Sequence, residues 1–360
     1  MGRSQRTIIG FVCAVLVVAW LIVLPHHYGK TNTVLWAQAL YIGAAAMGLN
    51  LLTGYNGQVS IGHGAFFGLG AYTSALLIQQ HGWQFLPTLL VAAPLCFVVG
   101  VLIGFPALRV KGLYLALVTL GLAVLFPDLT KHYVHVTGGT NLVSLDQQHL
   151  FPPAWVPTSV SAIGRDDQWA YYVTLGCALV LFVVVIGIVR SRFGRALIAV
   201  RDHEAAAQTA GINIASVKVL AFALSALYAG VAGSCSVLIV TNASADKIGT
   251  FQLSIQFLVA VVIGGTATVL GPMIGGWLVV FVQHWISTTL PNHVSSTGTV
   301  GRVVANPASS PAIFGILLIL FVFALPDGLV GGARRLWSTG RARLRSRTPP
   351  SPAPAAPLAS

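Results

Sequence analysis

The chain alternates between long apolar runs and short segments that carry nearly all of its charge. Runs of about 17 to 25 apolar residues match the length of a helix crossing a bilayer. On that basis spans are predicted near residues 8–24, 34–52, 60–79, 85–107, 113–130, 169–189, 216–240, 252–264, 268–290 and 311–325. The fold class expected is therefore an all-α polytopic membrane protein with about ten transmembrane helices. The run at 252–264 is short and the one at 60–79 is rich in glycine, so one or two segments are expected to be broken or re-entrant.

Composition agrees with this pattern. Hydrophobic residues make up 56% of the 360 and charged residues only 8%, against roughly a quarter charged in soluble domains. Mean hydropathy is +0.81. The net charge of +12 sits in separated basic clusters between apolar runs, without interleaved exposed aromatics, which argues against nucleic acid as a partner. Positive-inside topology explains it better. With ten spans and an inside N-terminus, fifteen of the twenty basic residues fall inside: Arg3, Arg6, Arg109, Lys111, Arg190, Arg192, Arg195, Arg201, Lys218, Arg334, Arg335, Arg341, Arg343, Arg345 and Arg347. Lys30, Lys131, Arg165, Lys247 and Arg302 fall outside.

The organisation expected is a cytoplasmic N-terminus at 1–7, a transmembrane domain at 8–330 and a cytoplasmic tail at 331–360. Arg3 and Arg6 before the apolar run resemble a signal peptide, but Pro25, His26 and His27 follow in place of a small-residue cleavage site, so the run reads as a first transmembrane helix. The tail is basic and proline-rich and is expected to be disordered, with anionic lipid headgroups the partner of Arg334–Arg347. The loop at 190–215 then lies in the cytoplasm and the long segment 131–168 outside.

Two interruptions stand at corresponding places in the two halves: GYNGQVSIGHGAFFGLGAY from Gly54 to Tyr72, and GGTATVLGPMIGG from Gly264 to Gly276. Paired breaks of this kind point to a substrate path, because unwound backbone at membrane depth must line a cavity or be buried in protein. Helix packing is the other reading. Gly64 and Gly68, Gly100 and Gly104, and Gly271 and Gly275 all have the spacing that lets helices approach closely. The polar residues Asn50, Asn56, Gln58, Ser60 and His63, with Gln256, favour a path.

The cytoplasmic loop RFGRALIAVRDHEAAAQTAGINI, Arg192 to Ile214, holds the only glutamate of the chain, Glu204. Asp202 is placed to cap a short helix at its start and Gly211 to end it in the left-handed conformation. The result would be an alanine-rich rod of about 12 Å between two spans. Such a rod suits insertion into a groove on a soluble partner, although an ordinary connecting helix has the same pattern.

Several chemistries find no support in the sequence. There is no H-E-x-x-H, no G-x-S-x-G and no phosphate-binding loop; Gly29-Lys30-Thr31 has Leu24 where such a loop needs glycine. Cys13, Cys96, Cys177 and Cys235 each lie in an apolar run and read as packing residues. No metal and no cofactor is expected. The eight acids, Asp128, Asp146, Asp166, Asp167, Asp202, Glu204, Asp246 and Asp327, all fall at span ends or in loops. Only His63 and His284 are placed within spans, so coupling to an ion gradient is not expected.

Six motifs in order resemble the M-type permease subunit of high-affinity branched-chain amino acid ABC transporters. They are LNLLTGYNGQVSIGHGAFFGLGAY from Leu49, RVKGLYLALVTLG from Arg109, VTGGTNLV from Val136, RSRFGRALIAVRDHEAAAQTAGI from Arg190, SIQFLVAVVIGGTATVLGPMIGG from Ser254 and LPDGLVGG from Leu325. The resemblance implies a non-enzymatic transport subunit in a bacterial cytoplasmic membrane, working with a second permease, two ATP-binding subunits and an external solute-binding protein. It implies that Glu204, Ala205, Ala206 and Gly211, flanked by Arg195 and Arg201, dock on the ATPase. Glu204 would pair with a base across that interface. Leucine, isoleucine and valine are the implied cargo, with urea, short amides or another small polar solute as the alternative. The basic tail and the segment 289–310 are longer than the motifs require.

Overall fold

A computed structural model describes residues 3–27, 29–109, 112–133, 143–144, 166–240, 242–243, 248–289, 309–324 and 328–332. The tail 333–360, most of the outside segment 131–168 and all of the VTGGTNLV motif but Val143 lie outside the described residues, as does most of the segment 289–310.

In chain order the helices are α1 (Arg3–His27), α2 (Lys30–Leu49), α3 (His63–His81), α4 (Phe85–Ala107), α5 (Leu113–His132), α6 (Asp166–Arg190), α7 (Arg192–Asp202), α8 (Glu204–Thr209), α9 (Ile214–Val237), α10 (Phe251–Gly264), α11 (Gly271–His284) and α12 (Ser310–Ala324). Two π-helical turns extend them, Asn50–Tyr55 after α2 and Trp285–Thr289 after α11. Among the described residues five helices are long and apolar enough to cross a membrane, namely Lys30–Tyr55, Phe85–Ala107, Tyr114–His132, Gln168–Arg190 and Ile214–Val237. Among the described residues the β-structure is one two-residue pairing, β1 (Val143–Ser144) with β2 (Asn242–Ala243). The protein is an all-α membrane protein.

Burial sorts these helices. The apolar stretch of α2 is 83% buried and that of α9 56%, whereas α4, α5 and α6 bury 28%, 28% and 33% of theirs. A helix apolar on all sides belongs in the interior of a bundle or against lipid. Here α2 and α9 form the centre: α9 packs on α2, α3, α4 and α6, and α2 on α6, α9 and α11. The outer helices turn large apolar side chains outward, such as Leu90, Leu102, Val183 and Phe323, as a lipid-facing surface requires.

Small residues set how closely the centre packs. A Cβ on Gly70 would run into the backbone of Gly230, and one on Gly275 into the Ala260 carbonyl. Gly100 lies over Ala223 and Ala226 of α9, and Gly64 and Gly68 lie against Thr250 and Gly249. The glycines with four-residue spacing thus pack helices, which is one of the two readings their spacing allowed. Lipid offers helices no hydrophobic drive to associate, so close backbone approach has to supply the contact. The glycine-rich run at 60–79 is one continuous helix from His63, with the irregular backbone just before it. Helix α10 has 14 residues, about 21 Å of rise.

The two ends of the bundle hold different sets of residues. At one end Gln168, Tyr171 and Tyr172 of α6 donate to the carbonyls of Pro25, Leu21 and Ile22 in α1. At the other end the first broken segment meets both the Arg192–Ile214 loop and the second broken segment.

Candidate functional site

The site begins with the loop. Ser191 caps α7, its hydroxyl oxygen accepting from Phe193 and Gly194 N–H. Helix α7 then buries Gly194, Leu197 and Val200 at three-residue spacing and leaves Arg192, Arg195, Arg201 and Asp202 exposed. Its last residue is Asp202, so Asp202 does not cap the following helix as the sequence suggested. The chain turns instead at His203, in extended backbone (φ −159°), and His203 Nδ1 accepts from Ala206 N–H at 3.2 Å. Asp202 is held by Arg201, with nitrogen–oxygen distances of 3.0 and 2.9 Å, and this pairing takes the carboxylate away from the cap position.

Helix α8 is correspondingly short, six residues from Glu204 to Thr209. Its C-terminus closes as expected at Gly211 (φ +82°). Gly211 N–H donates to Gln208 O and Ile212 N–H to Ala207 O, the paired pattern of a glycine-terminated helix. Ala207 is buried, while Ala205, Ala206 and Gln208 face out. Glu204 pairs with Lys218 of α9 in its own chain. Arg195 is separate from this group; it donates to the carbonyls of Arg190 and Ser191 at the end of α6.

Arg201 connects the loop to the first broken segment. Its guanidinium donates to Gly54 O at 2.9 Å, and its stem lies over Gly57, where a Cβ would stand 2.8 Å from Arg201 Cγ. The segment continues α2 as a π-helical turn, closed by Asn56 N–H to Leu51 O at 3.2 Å. Single π-turns are rare and concentrate where function needs irregular backbone.

Asn50 connects that turn to the second broken segment. It is 2% exposed, its amide donates to Thr268 O at 2.8 Å and its carbonyl oxygen accepts from Ala267 N–H at 3.0 Å. Thr268 Oγ1 in turn accepts from Gly271 N–H at the start of α11. Gly328, from the LPDGLVGG motif, packs on this turn with no room for a side chain: a Cβ would stand 2.5 Å from Gly265 Cα. Thr119 of the RVKGLYLALVTLG motif reaches the other side of the first break and accepts from Ile61 N–H at 3.0 Å.

The remaining polar residues singled out from the sequence are distributed around this junction. His63 is buried between α2 and α9. Its Nε2 must carry the proton, because it lies 2.8 Å from Ala45 O, and Nδ1 then accepts from Ser225 Oγ at 3.3 Å. Ser60 is buried and accepts from Gly62 N–H at 3.4 Å. Asn56 is 3% exposed, and its amide has no hydrogen-bond partner among the described residues; the same holds for Gln58 Oε1. Both border a cavity of about 160 Å³ with Arg201, His203, Glu204 and Lys218. Gln256 lies elsewhere, on α10, and donates to Gln283 of α11 at 3.2 Å. Lys218 has no separate signature in the sequence beyond being a lone charge early in an apolar span, and Ser225, Thr268 and Gln283 have none.

Broken helices joined to a loop at one end of an apolar bundle are the architecture of a transport protein. The chain belongs to the family described as branched-chain amino acid transport system, permease component, whose family model matches residues 33–322. It is similar to the high-affinity branched-chain amino acid transport system permease protein LivM of Escherichia coli K12, 31% identical over 270 residues, 70% of this chain and 61% of the relative. LivM of Salmonella typhimurium is 30% identical over 71% of this chain and 63% of its own length. LivH of Escherichia coli K12, also a permease protein of a high-affinity branched-chain system, is 24% identical over 79% of this chain and 90% of its own. The matched region thus spans somewhat over three-fifths of the LivM relatives. No solved structure matches the chain.

Proposed function

We propose that the chain is the membrane-spanning permease subunit of an ATP-driven importer of branched-chain amino acids, and that the Glu204 loop is where ATP-driven movement enters it. The observation that carries this reading is the junction itself: the loop, the two broken segments and two further motifs converge at one end of the bundle. Family membership supports the transport role.

In this reading ten helices cross a bacterial cytoplasmic membrane with both termini inside. The pairing of ends supports that topology, since an alternating path puts the α1–α6 contacts and the β1–β2 pairing outside and both breaks inside with the loop. Of the two ATP-binding subunits of the complex, one docks on the exposed face of α8 through Ala205, Ala206 and Gly211, with Glu204 and Arg201 behind them. A second permease completes the path, and an external binding protein delivers the solute. The chain itself contributes no catalysis.

A branched-chain amino acid is a zwitterion with an apolar side chain, so a path needs few polar groups to orient it. Asn50 and His63 serve that path as braces within its wall, and Ser60 fixes the backbone between them. Asn56, Gln58 and the Gln256–Gln283 pair are the polar groups left to meet solute. The test is the variant Glu204→Lys in the reconstituted complex. Loss of ATP-dependent leucine uptake together with loss of the ATPase subunits is expected; normal uptake with the ATPase still bound refutes the docking role.

A further inference from the structure

We infer that Arg201 and Asn50 form a two-step linkage that carries movement of the Glu204 loop into both broken segments, so that the two breaks shift as one unit. This rests on the coupling reading of that loop.

The first step is the Arg201 fork. Nε and one terminal nitrogen hold Asp202 while the other terminal nitrogen donates to Gly54 O at 2.9 Å. A planar guanidinium can make these bonds together, so the neighbouring carboxylate aims the fork instead of competing for it. Gly57, at φ +74°, leaves the space through which the stem passes. Arg201 thereby acts on backbone in its own chain, not on a partner.

The second step starts one turn away. Asn50 lies in the same π-turn as Gly54 and spends both ends of its amide on Ala267 and Thr268. Those two groups belong to the turn between α10 and α11, in which Ala267 is held at φ +55°. A non-glycine residue in that region persists only where its surroundings fix it, and Asn50 grips the amide of that residue. Packing leaves no slack between the turns either, since a Cβ on Gly54 would stand 2.7 Å from Ala267 N. Moving Arg201 therefore displaces the first break, and the first break cannot move without the second.

The junction also has a reason to change state. The buried Asn56 amide has no partner among the described residues, two positions from Gly54. A buried amide left unpaired is unfavourable, and native exceptions concentrate where a structure rearranges or binds. A second arrangement of the turn that pairs this amide offsets part of the cost of leaving the first, which narrows the gap between two positions of a coupling element.

The test uses the whole complex in proteoliposomes, with leucine uptake and ATP hydrolysis measured on the same vesicles. Arg201→Ala and Asn50→Asp should each keep the ATPase subunits bound while uptake per ATP falls roughly tenfold, the size of one lost hydrogen bond. Asn50→Asp keeps the acceptor for Ala267 but loses the donor to Thr268. The double variant should be no worse than either single one, and Arg201→Lys should recover part of the loss. Hydrogen exchange gives a readout that stability alone does not move: in the wild type, ATP should alter protection of segments 50–62 and 265–271 together, and in Arg201→Ala it should alter neither. Unchanged uptake per ATP, multiplicative losses in the double variant, or release of the ATPase by Arg201→Ala would each overturn the linkage. A complex that sheds its ATPase with Glu204→Lys but ignores Arg201→Ala keeps the coupling reading and loses only the linkage. If Glu204→Lys has no effect, the coupling reading fails.

Discussion

Lys218 reaches from the second turn of α9 to the carboxylate of Glu204, and the two form an ion pair at the head of α8. The Lys218 side chain is 12% exposed and the Glu204 side chain 42%. The carboxylate expected to meet a base on the ATPase thus already has a base in its own chain. Glu204 can still serve both, because a carboxylate has acceptor sites beyond the one Lys218 occupies.

Exchanging the two charges separates these roles. Glu204→Lys with Lys218→Glu should restore the internal pair, and with it thermal stability to within about 1 kcal/mol of wild type. It should not restore retention of the ATPase subunits during purification. Full retention by the swapped chain would mean that Glu204 acts only within its own chain.

Gly211 ends α8 in the left-handed region, at φ +82°, with nothing within 4 Å of where a side chain would begin. Gly211→Ala should therefore cost about 1–2 kcal/mol through backbone strain alone. Copurification of the ATPase should weaken several-fold, and Gly211→Asn should be milder because asparagine tolerates this region. Equal behaviour of the two variants would remove the conformational argument.

Two glycine substitutions should differ sharply. A Cβ on Gly275 meets the Ala260 carbonyl, so Gly275→Ala must push α10 and α11 apart, an overpacking cost of about 1–3 kcal/mol. Gly187 on α6 has open space around it, and Gly187→Ala should leave the melting temperature in detergent unchanged or slightly raised. A drop for Gly187→Ala comparable with that for Gly275→Ala would argue against close packing as the role of the four-residue glycine spacing.

Much of this architecture was legible in the sequence, and the reason is the bilayer. Apolar runs must match its thickness, so helices such as Phe85–Ala107 and Asp166–Arg190 fall where their composition places them. The left-handed turn at Gly211 was legible because few residues other than glycine adopt it. The start of α8 was not. Asp202 and His203 both have cap-competent side chains, and the choice between them depends on Arg201 holding Asp202 beside Gly54, 147 positions away in sequence. The Asn50 brace spans 217 and 218 positions, and the Glu204–Lys218 pair joins two helices. Contacts of that range leave no periodic trace. The six polar candidates were selected for lying near breaks, and that signal does not distinguish a residue braced inside the wall, such as His63, from one open to solute.

Gln256 tests that distinction. Its bond to Gln283 bridges α10 and α11 in otherwise apolar surroundings. Gln256→Leu should lower leucine uptake several-fold with the complex intact, whereas His63→Leu should chiefly lower the melting temperature by leaving Ala45 O and Ser225 without their partner. Unchanged uptake in Gln256→Leu would take that pair out of the path.

The measurement that bears most directly on the account is ATP-dependent uptake of radiolabelled leucine, isoleucine, valine and urea into proteoliposomes holding this chain with its partner permease, ATPase subunits and binding protein. Saturable leucine uptake is expected, competed by isoleucine and valine but not by urea, and lost when ATP is omitted. Uptake of urea alone would contradict the cargo, and leucine uptake by this chain without ATP or partners would contradict the mechanism.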